Sequence, residues 1–405
     1  MSAAQTTARL AGFDWDDLEH ERFHRVLVPG WLAEGRGRAA CNDLVGVAPL
    51  ALALEDGRAF TYAADGGELV LREGREGAET VAVFEDAVFR EFACEALTAY
   101  GLFYTRQARF DAGDLGGLMR WERALRCLWQ DRPIFRSDAP APSGAGEAFA
   151  LEDLRARPDE VARHFDTHGF VRVRAVLDAR EVAELRRECE RVRAEAAPGD
   201  PRSWWGRDAH GEPVCTRVNY AGDFSKRLGA LFEDERIRAI AALCGPGVRP
   251  ATDRLDGVTA IFKTPDMREG LSDLPWHIDC GTGGHPVMCP LGNLSLHLDD
   301  VDAASGDLRA IPGSHRGSNR PVQAAPGEAL GVSMGARAGD CTLHWGDLCH
   351  AAPPPVGPGP RTRRVSLVLT YPNADLFEVL GPREAYNDVL LGREDGQIES
   401  LLAPS

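Results

Sequence analysis

The pattern of apolar and polar positions divides the chain into a first region of strands and helices and a second region that ends in many short strands. In residues 48–74, three apolar runs are separated by Asp-Gly and Gly-Gly turns, which predicts three strands joined by tight hairpins. Apolar side chains then recur at helical spacing over residues 83–105 and 117–129. The first region is therefore predicted to be a small α+β domain.

The second region follows residues 137–149, which are rich in Pro, Ser, Gly and Ala and typical of a linker. Residues 170–176 predict a strand, and Asp178 is placed to cap a long amphipathic helix that begins at Ala179. From residue 250 onward, short alternating runs are separated by Gly and Pro, which is the pattern of an antiparallel barrel or jelly roll.

Together these patterns predict an α+β fold class with two domains. Residues 1–136 form the small α+β domain and residues 137–149 the linker. Residues 150–405 form a double-stranded β-helix, that is, a cupin-like jelly roll with flanking helices. A length of 405 residues agrees with two or three domains.

Composition and charge exclude some classes of partner. The net charge is −16 and no run is rich in Lys and Arg, so nucleic acid is not an expected partner. No window approaches the roughly 20 apolar residues that span a bilayer, and the N-terminus lacks the pattern of a secretory signal. We therefore expect a cytoplasmic protein whose ten scattered cysteines are free thiols, mostly packed in the core.

Candidate chemistry is concentrated in WHIDCGTGGHPVMCP, residues 276–290. On a strand, His277 and Asp279 point to the same face, so that an imidazole and a carboxylate can bind one divalent ion. Two histidines and one carboxylate on one face of an octahedron leave three positions open, the arrangement typical of non-haem Fe(II) oxygenases. The segment therefore predicts two ligands of a metal site that needs a third.

The residues alone leave five candidates for the third ligand: His285, His297, His315, His344 and His350. His350 ends a strand-and-turn pattern far along the chain, as a jelly roll requires. His344 is the main competitor, but its position inside a strand beside a tryptophan favours a packed or supporting role. His285 and His315 lie in loop and turn sequences, whereas His297 would line the barrel interior.

A possible receptor for a carboxylate follows in RTRRVSLVLTYP. Arg364 and Ser366 alternate on one predicted strand and share a face, and a guanidinium beside a hydroxyl binds a carboxylate well. The carboxylate could belong to a co-substrate whose other end chelates the metal. Arg361 precedes the strand and Arg363 has the opposite parity, so neither is expected to contribute.

In combination, these motifs resemble the phytanoyl-CoA dioxygenase family of Fe(II)/2-oxoglutarate oxygenases. The order is His277-x-Asp279, then SGDLRAIPGSH, then His350, then Arg364-x-Ser366, and HFDTHGFVRVRAVLDAREVAELR resembles the family's N-terminal helix and strand. The resemblance implies that the two histidines and the aspartate bind Fe(II), and that Arg364 and Ser366 hold the distal carboxylate of 2-oxoglutarate.

The resemblance also implies a reaction and further contacts. Thr259 lies where the family contacts the co-substrate, Ser295 where some members carry an aromatic side chain, and Lys263 points the same way as Thr259. Decarboxylation of 2-oxoglutarate by O₂ would yield succinate and CO₂ while an unactivated carbon of a small, lipid-like or natural-product molecule is oxidised. Halogenating members have a small residue in place of Asp279, so its presence favours hydroxylation, or another oxidation such as desaturation.

Substrate contacts are predicted at Trp204, Trp205 and Asn219, although packing explains both tryptophans equally well. Residues 201–213 and the Gly-rich 281–284 are predicted lids over the metal. The acidic chain shows no clear basic patch for the phosphates of coenzyme A, so the family name does not specify the substrate. Neither the substrate nor the oligomeric state is predicted.

Other classes stay open. A metal-dependent, cupin-like isomerase or hydrolase would use the three metal ligands, but it would not explain why Arg364 and Ser366 lie together. A non-catalytic lipid-binding protein should have lost at least one ligand. A structural zinc site usually has cysteines paired at short spacing. Cys280 points away from the ligand face and Cys289 lies across a loop, so both are predicted to be small packing residues and not zinc ligands.

The first region resembles a sterol-carrier-protein-2-like domain over about residues 35–135. The resemblance rests on the order of hairpins and helices, which end in LMRWERALRCLWQDRPIF. It implies a pocket for an apolar ligand, and a structural or dimerising domain is the alternative.

Overall fold

The computed structural model describes residues 3–135, 142–198, 200, 202–265, 267–269, 274–281, 291–317, 330–355 and 363–377. The chain divides into two compact units. The first comprises Met1–Ala139, Asp279–Met288 and Ser314–Arg320, and the second comprises Pro140–Ile278, Cys289–Gly313 and Pro321–Ser405. The domain limits drawn from the sequence stay a prediction, because residues 136–141 of the expected boundary lie outside the described residues.

The first unit contains a five-stranded sheet in the order β3-β2-β1-β4-β5. Its strands are β1 (Leu50–Leu54), β2 (Ala59–Asp65), β3 (Glu68–Glu73), β4 (Thr80–Phe84) and β5 (Arg109–Ala112). The predicted hairpins β1-β2 and β2-β3 are confirmed as antiparallel pairs, while β4 returns parallel to β1. Asp56-Gly57 and Gly66-Gly67 lie in the two turns, and each of the three glycines has a positive φ.

The helices of the first unit are α1 (Ala3–Leu10), α2 (His20–Arg22), α3 (Val28–Ala33), α4 (Arg36–Cys41), α5 (Asp86–Ala93), α6 (Ala99–Tyr104) and α7 (Leu115–Gln130). The amphipathic pattern of residues 117–129 becomes α7, whose N-terminus is capped by Asp114 through a bond from the Gly117 amide. Aromatic side chains fill the core, among them Phe23, Tyr62, Phe89, Trp121 and Trp129. The apolar ligand pocket that the sterol-carrier resemblance implies stays a prediction.

The second unit contains a nine-stranded sheet in the order β11-β8-β9-β10-β18-β13-β16-β7-β6 and a four-stranded sheet in the order β12-β17-β14-β15. The strands are β6 (Phe149–Ala150), β7 (Phe170–Arg174), β8 (Ser203–Asp208), β9 (Pro213–Val218), β10 (Val258–Lys263), β11 (Met267–Glu269), β12 (Leu274–His277), β13 (Leu291–His297), β14 (Arg309–Ala310), β15 (Val332–Ser333), β16 (Cys341–Trp345), β17 (His350–Ala352) and β18 (Arg364–Pro372). Nearly all pairings are antiparallel, and the predicted α+β class with a jelly-roll core is confirmed.

The helices of the second unit are α8 (Asp153–Ala156), α9 (Pro158–His168), α10 (Ala179–Glu195), α11 (Ala221–Phe224), α12 (Lys226–Gly229), α13 (Glu235–Ala241) and α14 (Ala374–Phe377). The predicted cap of α10 is confirmed as a capping box, in which Asp178 and Glu181 bond each other's backbone amides. Among the described helices, none is both long and apolar enough to cross a membrane.

The two faces of the nine-stranded sheet differ in chemistry. Leu294, Leu343 and Leu367 occupy one face and join a core that includes Leu185 of α10 and Ile240 of α13. Side chains alternate across a strand, so the intervening residues of β10, β13, β16 and β18 share the other face. Most of these are polar and buried: Thr259, Lys263, Asn293, Ser295, His297, Thr342, His344, Arg364, Ser366 and Thr370. We call this surface the polar face.

Candidate metal and co-substrate site

The four-stranded sheet places two histidines directly opposite each other. His277 ends β12 and His350 begins β17, and the two residues are partners in the antiparallel ladder. Their ring centres are 4.3 Å apart. With Asp279 they form a group in which one ligand atom from each residue lies within 4.8 Å of the others. The structure thus brings together the three residues that were predicted from the sequence as metal ligands.

Asp279 reaches this group from a bend and not from a strand, which differs from the prediction. β12 ends at His277, and the chain turns at Gly281, where φ is +75°. The carbonyl of Gly281 accepts hydrogen bonds from the backbone N–H of Thr98 (2.8 Å) and from its Oγ1 (2.9 Å), and all of Asp279–Gly281 belongs to the first unit with Thr98. The alternation of the sequence cannot reveal a turn that is held by so distant a residue.

The orientation of His350 suits metal binding through Nε2. Its Nδ1 donates to the carbonyl of Leu348 at 2.8 Å, and since a carbonyl only accepts, this bond places the ring hydrogen on Nδ1. Nε2 then carries the lone pair, which is the form of imidazole nitrogen that binds a metal ion. Two imidazole nitrogens and one carboxylate oxygen form a donor set that fits Fe(II), because this combination with open positions defines the facial triad.

The other histidine candidates occupy different places. His344, on β16, is buried and its ring centre lies 4.6 Å from that of His350. His297 lies on the polar face, and His315 lies in the short 3-10 helix Ser314–Arg316. His285 lies outside the described residues, as do Cys289 and Arg361. Cys280 is buried, as predicted for a packing residue.

The five predicted co-substrate contacts all lie on the polar face. Ser366 pairs with Ile261 of β10 and with His297 of β13, and Arg364 pairs with Lys263. Paired residues share a face of a sheet, so the guanidinium and the hydroxyl lie among these side chains. Thr259 and Ser295 are both cross-strand partners of Val368, which is the next residue after Ser366 on the same face of β18. The arrangement is a buried, cationic and hydroxyl-bearing surface.

Lys263 has a structural task that the sequence did not reveal. Its ammonium is buried, and it donates hydrogen bonds to the carbonyls of Ala352 (2.6 Å) and Pro353, with a longer one to Gly306 (3.4 Å). The compact ammonium, with three donors, suits several carbonyls at once better than a guanidinium would. Lys263 therefore holds the backbone that directly follows His350, on β17.

The predicted substrate residues lie on two faces. Trp204 is buried beneath the guanidinium of Arg217, which lies 4.7 Å from the centre of a ring. Asn219 is buried, and its Oδ1 accepts from Thr259 Oγ1 at 3.4 Å. Trp205 instead packs against the apolar core, and its indole N–H donates to Ser203 Oγ. The two tryptophans are adjacent on β8, and adjacent residues of a strand point to opposite faces.

His297 and Thr342 lie on the polar face beside the predicted co-substrate contacts, but they were not themselves predicted as contacts. The alternation of NLSLHL in β13 is the signal that puts His297 on the same face as Ser295. Its Nε2 lies 3.1 Å from Thr342 Oγ1. Burial, together with the nearby Arg364 charge, lowers the pKa of His297 to about 3, so the imidazole is neutral at neutral pH.

The phytanoyl-CoA dioxygenase (PhyH) family model matches residues 165–363, and the resemblance predicted from the sequence is confirmed over that segment. Arg364 and Ser366 lie directly past the end of the match. The match and the His-Asp-His group agree with the predicted cofactor set of Fe(II), 2-oxoglutarate and O₂. No curated protein sequence matches the chain.

Solved structures that resemble the chain cover little more than half of it. AviO1 from Streptomyces viridochromogenes is 26% identical, over 53% of this chain and 93% of its own, with a TM-score of 0.40. SnoN, a non-heme alpha ketoglutarate dependent epimerase from nogalamycin biosynthesis, is 25% identical, over 54% and 84%, with a TM-score of 0.42. EctD from S. alaskensis is 21% identical, over 59% and 85%, with a TM-score of 0.43.

Proposed function

Because residues 165–363 match the phytanoyl-CoA dioxygenase family, we propose that the protein is an Fe(II)- and 2-oxoglutarate-dependent oxygenase that hydroxylates an unactivated carbon of a small organic molecule. The proposal rests on the combination of two features of one structure. Two imidazoles and a carboxylate meet within 4.8 Å, and a buried arginine and serine lie together on the polar face. A metal isomerase or hydrolase would use the first feature but not the second.

His277, Asp279 and His350 hold the ion in this proposal, and Arg364 with Ser366 holds the distal carboxylate of 2-oxoglutarate. Bound Fe(II) with 2-oxoglutarate and O₂ supplies an oxidation of a C–H bond that is coupled to decarboxylation. The protein contributes geometry and charge. Leu348 sets the tautomer of His350, and Lys263 supports the strand that carries it.

The buried guanidinium explains why a dicarboxylate is the expected co-substrate. Arg364 is only 7% exposed, and a hydrogen bond to a charged group is stronger where water is excluded. A carboxylate can accept two parallel hydrogen bonds from a guanidinium, which makes the contact specific in geometry as well as strong. Ser366, two residues along the same face, adds a hydroxyl donor.

We place the substrate near Asn219 and Trp204. The side-chain nitrogen of Asn219 is buried, and no hydrogen bond to it is found among the described residues, so it offers a donor to a polar group of the substrate. Trp204, under Arg217, presents a rigid aromatic surface. Asp279 supplies a carboxylate where a halogenase needs an open position for halide, which favours hydroxylation.

The test is succinate release from 2-oxoglutarate with Fe(II) and O₂, in the wild type and in three variants. His277→Ala and Arg364→Ala are expected to abolish release, the first by loss of metal and the second by loss of the co-substrate anchor. Arg363→Ala is the matched control, since Arg363 is the exposed neighbour of opposite parity. Absence of succinate from the wild type, or equal release by all four proteins, would overturn the proposal.

Hydroxylation itself is tested with oxygen-18 gas and a panel of small organic molecules. Incorporation of one labelled oxygen atom into a product, in step with labelled succinate, is the expected result. A product that is oxidised without gaining oxygen would show desaturation or rearrangement, and would contradict the hydroxylase assignment while leaving the oxygenase class intact.

A further inference from the structure

His297 occupies a position beside the two residues that are proposed to hold the co-substrate. It ends β13, and its partner in the ladder with β18 is Ser366. Arg364 lies two residues from Ser366 on the same face, so the imidazole is a diagonal neighbour of the guanidinium. The influence of the Arg364 charge on the imidazole agrees with this proximity.

One nitrogen of the imidazole has a partner and the other has none within the described part of the chain. Nε2 lies 3.1 Å from Thr342 Oγ1, whereas Nδ1 is buried without a hydrogen bond there. The residue is only 1% exposed. A buried polar atom that stays unsatisfied costs about 1–3 kcal/mol, and native proteins usually pair such an atom with a protein group, a water molecule or a bound ligand.

The chemistry of the neighbours selects an anion as that group. Burial and the Arg364 charge keep the ring neutral, so that only one nitrogen carries hydrogen. When the hydroxyl of Thr342 donates to Nε2, the hydrogen lies on Nδ1, and this donor belongs to a side chain whose ladder partner is Ser366. A carboxylate, which only accepts, fits three such donors.

We propose that His297 donates a hydrogen bond from Nδ1 to the distal carboxylate of the 2-oxo acid, as a third contact beside Arg364 and Ser366. This inference rests on the proposed function and deepens it. His297 is then a residue that binds the co-substrate and not merely one that packs beneath it. Thr342 is a positioning residue, because it acts by setting the tautomer of His297.

Two variants of His297 separate this role from packing. His297→Asn keeps a nitrogen donor near the Nδ1 position, whereas His297→Gln keeps a polar atom near Nε2 and Thr342 but removes the donor at Nδ1. 2-Oxoglutarate is titrated without oxygen into each Fe(II)-loaded protein, and its visible charge-transfer band gives the dissociation constant. A charge-assisted hydrogen bond is worth about 1.5–3 kcal/mol, so the Gln variant should bind about 10- to 100-fold more weakly. The Asn variant should stay within a few-fold of the wild type.

Equal binding by the Gln variant and the wild type would overturn the inference. Should either variant fail to fold, the wild type itself gives the answer through ¹⁵N-histidine NMR with Zn(II) in place of iron. Addition of 2-oxoglutarate should then slow the exchange of the His297 Nδ1 proton with water. If the exchange rate does not change, the inference is also overturned. Failure of the proposed function is distinct, because the wild type would then show no charge-transfer band at all.

Discussion

His277 and His350 are direct partners across the β12-β17 ladder, and their ring centres lie 4.3 Å apart. The ring of His350 is held by the backbone, since its Nδ1 donates to the carbonyl of Leu348. Preformed ligands of this kind lose little side-chain freedom when an ion binds. Two residues far apart in the sequence thus become neighbours through the order of the four-stranded sheet.

Replacing His350 should affect metal binding far more than replacing His344, although the rings of the two residues are close. His350→Ala removes a ligand and should weaken Ni(II) binding by about 100-fold or more, whereas His344→Ala removes a supporting contact, for which about 10-fold is expected. Isothermal titration calorimetry measures both constants. A larger loss in His344→Ala than in His350→Ala would reassign the third ligand.

Lys263 should contribute strongly to stability. Lys263→Met removes the hydrogen-bond donor of the Ala352 and Pro353 carbonyls. We therefore expect the free energy of unfolding to fall by about 2–3 kcal/mol. Lys226, the only other lysine of the chain, is exposed, and Lys226→Met is the matched control with no expected change. Urea unfolding compares the two. Similar midpoints for both variants would contradict a structural task for the Lys263 ammonium.

Gly101→Ala should destabilise the first unit and displace the turn at Gly281. A Cβ at Gly101 would overlap the carbonyl oxygen of Gly281, which is backbone and cannot move aside cheaply. Gly30, also in a helix, has open space around it, so Gly30→Ala should be neutral or slightly stabilising. Thermal unfolding tests the pair, and an unchanged melting temperature in Gly101→Ala would show that the turn adapts.

Acidification should destabilise the second unit through His164. Burial, and to a smaller extent the charge of His168, lowers the pKa of His164 to about 4 from an ordinary value of 6.5. The unfolded chain therefore binds a proton that the folded chain excludes, so stability is fully present above pH 6.5 and is lost as the pH falls toward 4. Unfolding midpoints between pH 8 and pH 4 should fall less steeply in His164→Gln than in the wild type, and an unchanged slope would contradict this.

The sequence predicted what depends on local pattern and failed where a distant contact decides. Alternation was sufficient to place Arg364 with Ser366 and Thr259 with Lys263, because the pleat of a strand is regular. It misplaced Asp279 on a strand, because the turn after His277 depends on bonds from Thr98 that no local pattern records.

The roles of Lys263 and Trp205 illustrate the same limit. Parity correctly put Lys263 on the polar face, but only the fold shows that the carbonyls of Ala352 and Pro353 accept hydrogen bonds from its ammonium. Trp204 and Trp205 are adjacent on β8, so parity requires opposite faces for them, but only the fold shows that Trp205 is the one that packs against the apolar core. Prediction was therefore good for faces and poor for the partners of individual side chains.

The stoichiometry of Fe(II) and 2-oxoglutarate binding without oxygen tests the oxygenase proposal most directly. We expect one Fe(II) per chain, lost in Asp279→Ala, and then one 2-oxoglutarate that binds tightly only when the metal is present. Arg364→Ala should keep the metal and bind the co-substrate weakly. A wild-type chain that binds neither, or an Arg364→Ala chain that binds both as tightly as the wild type, would contradict it.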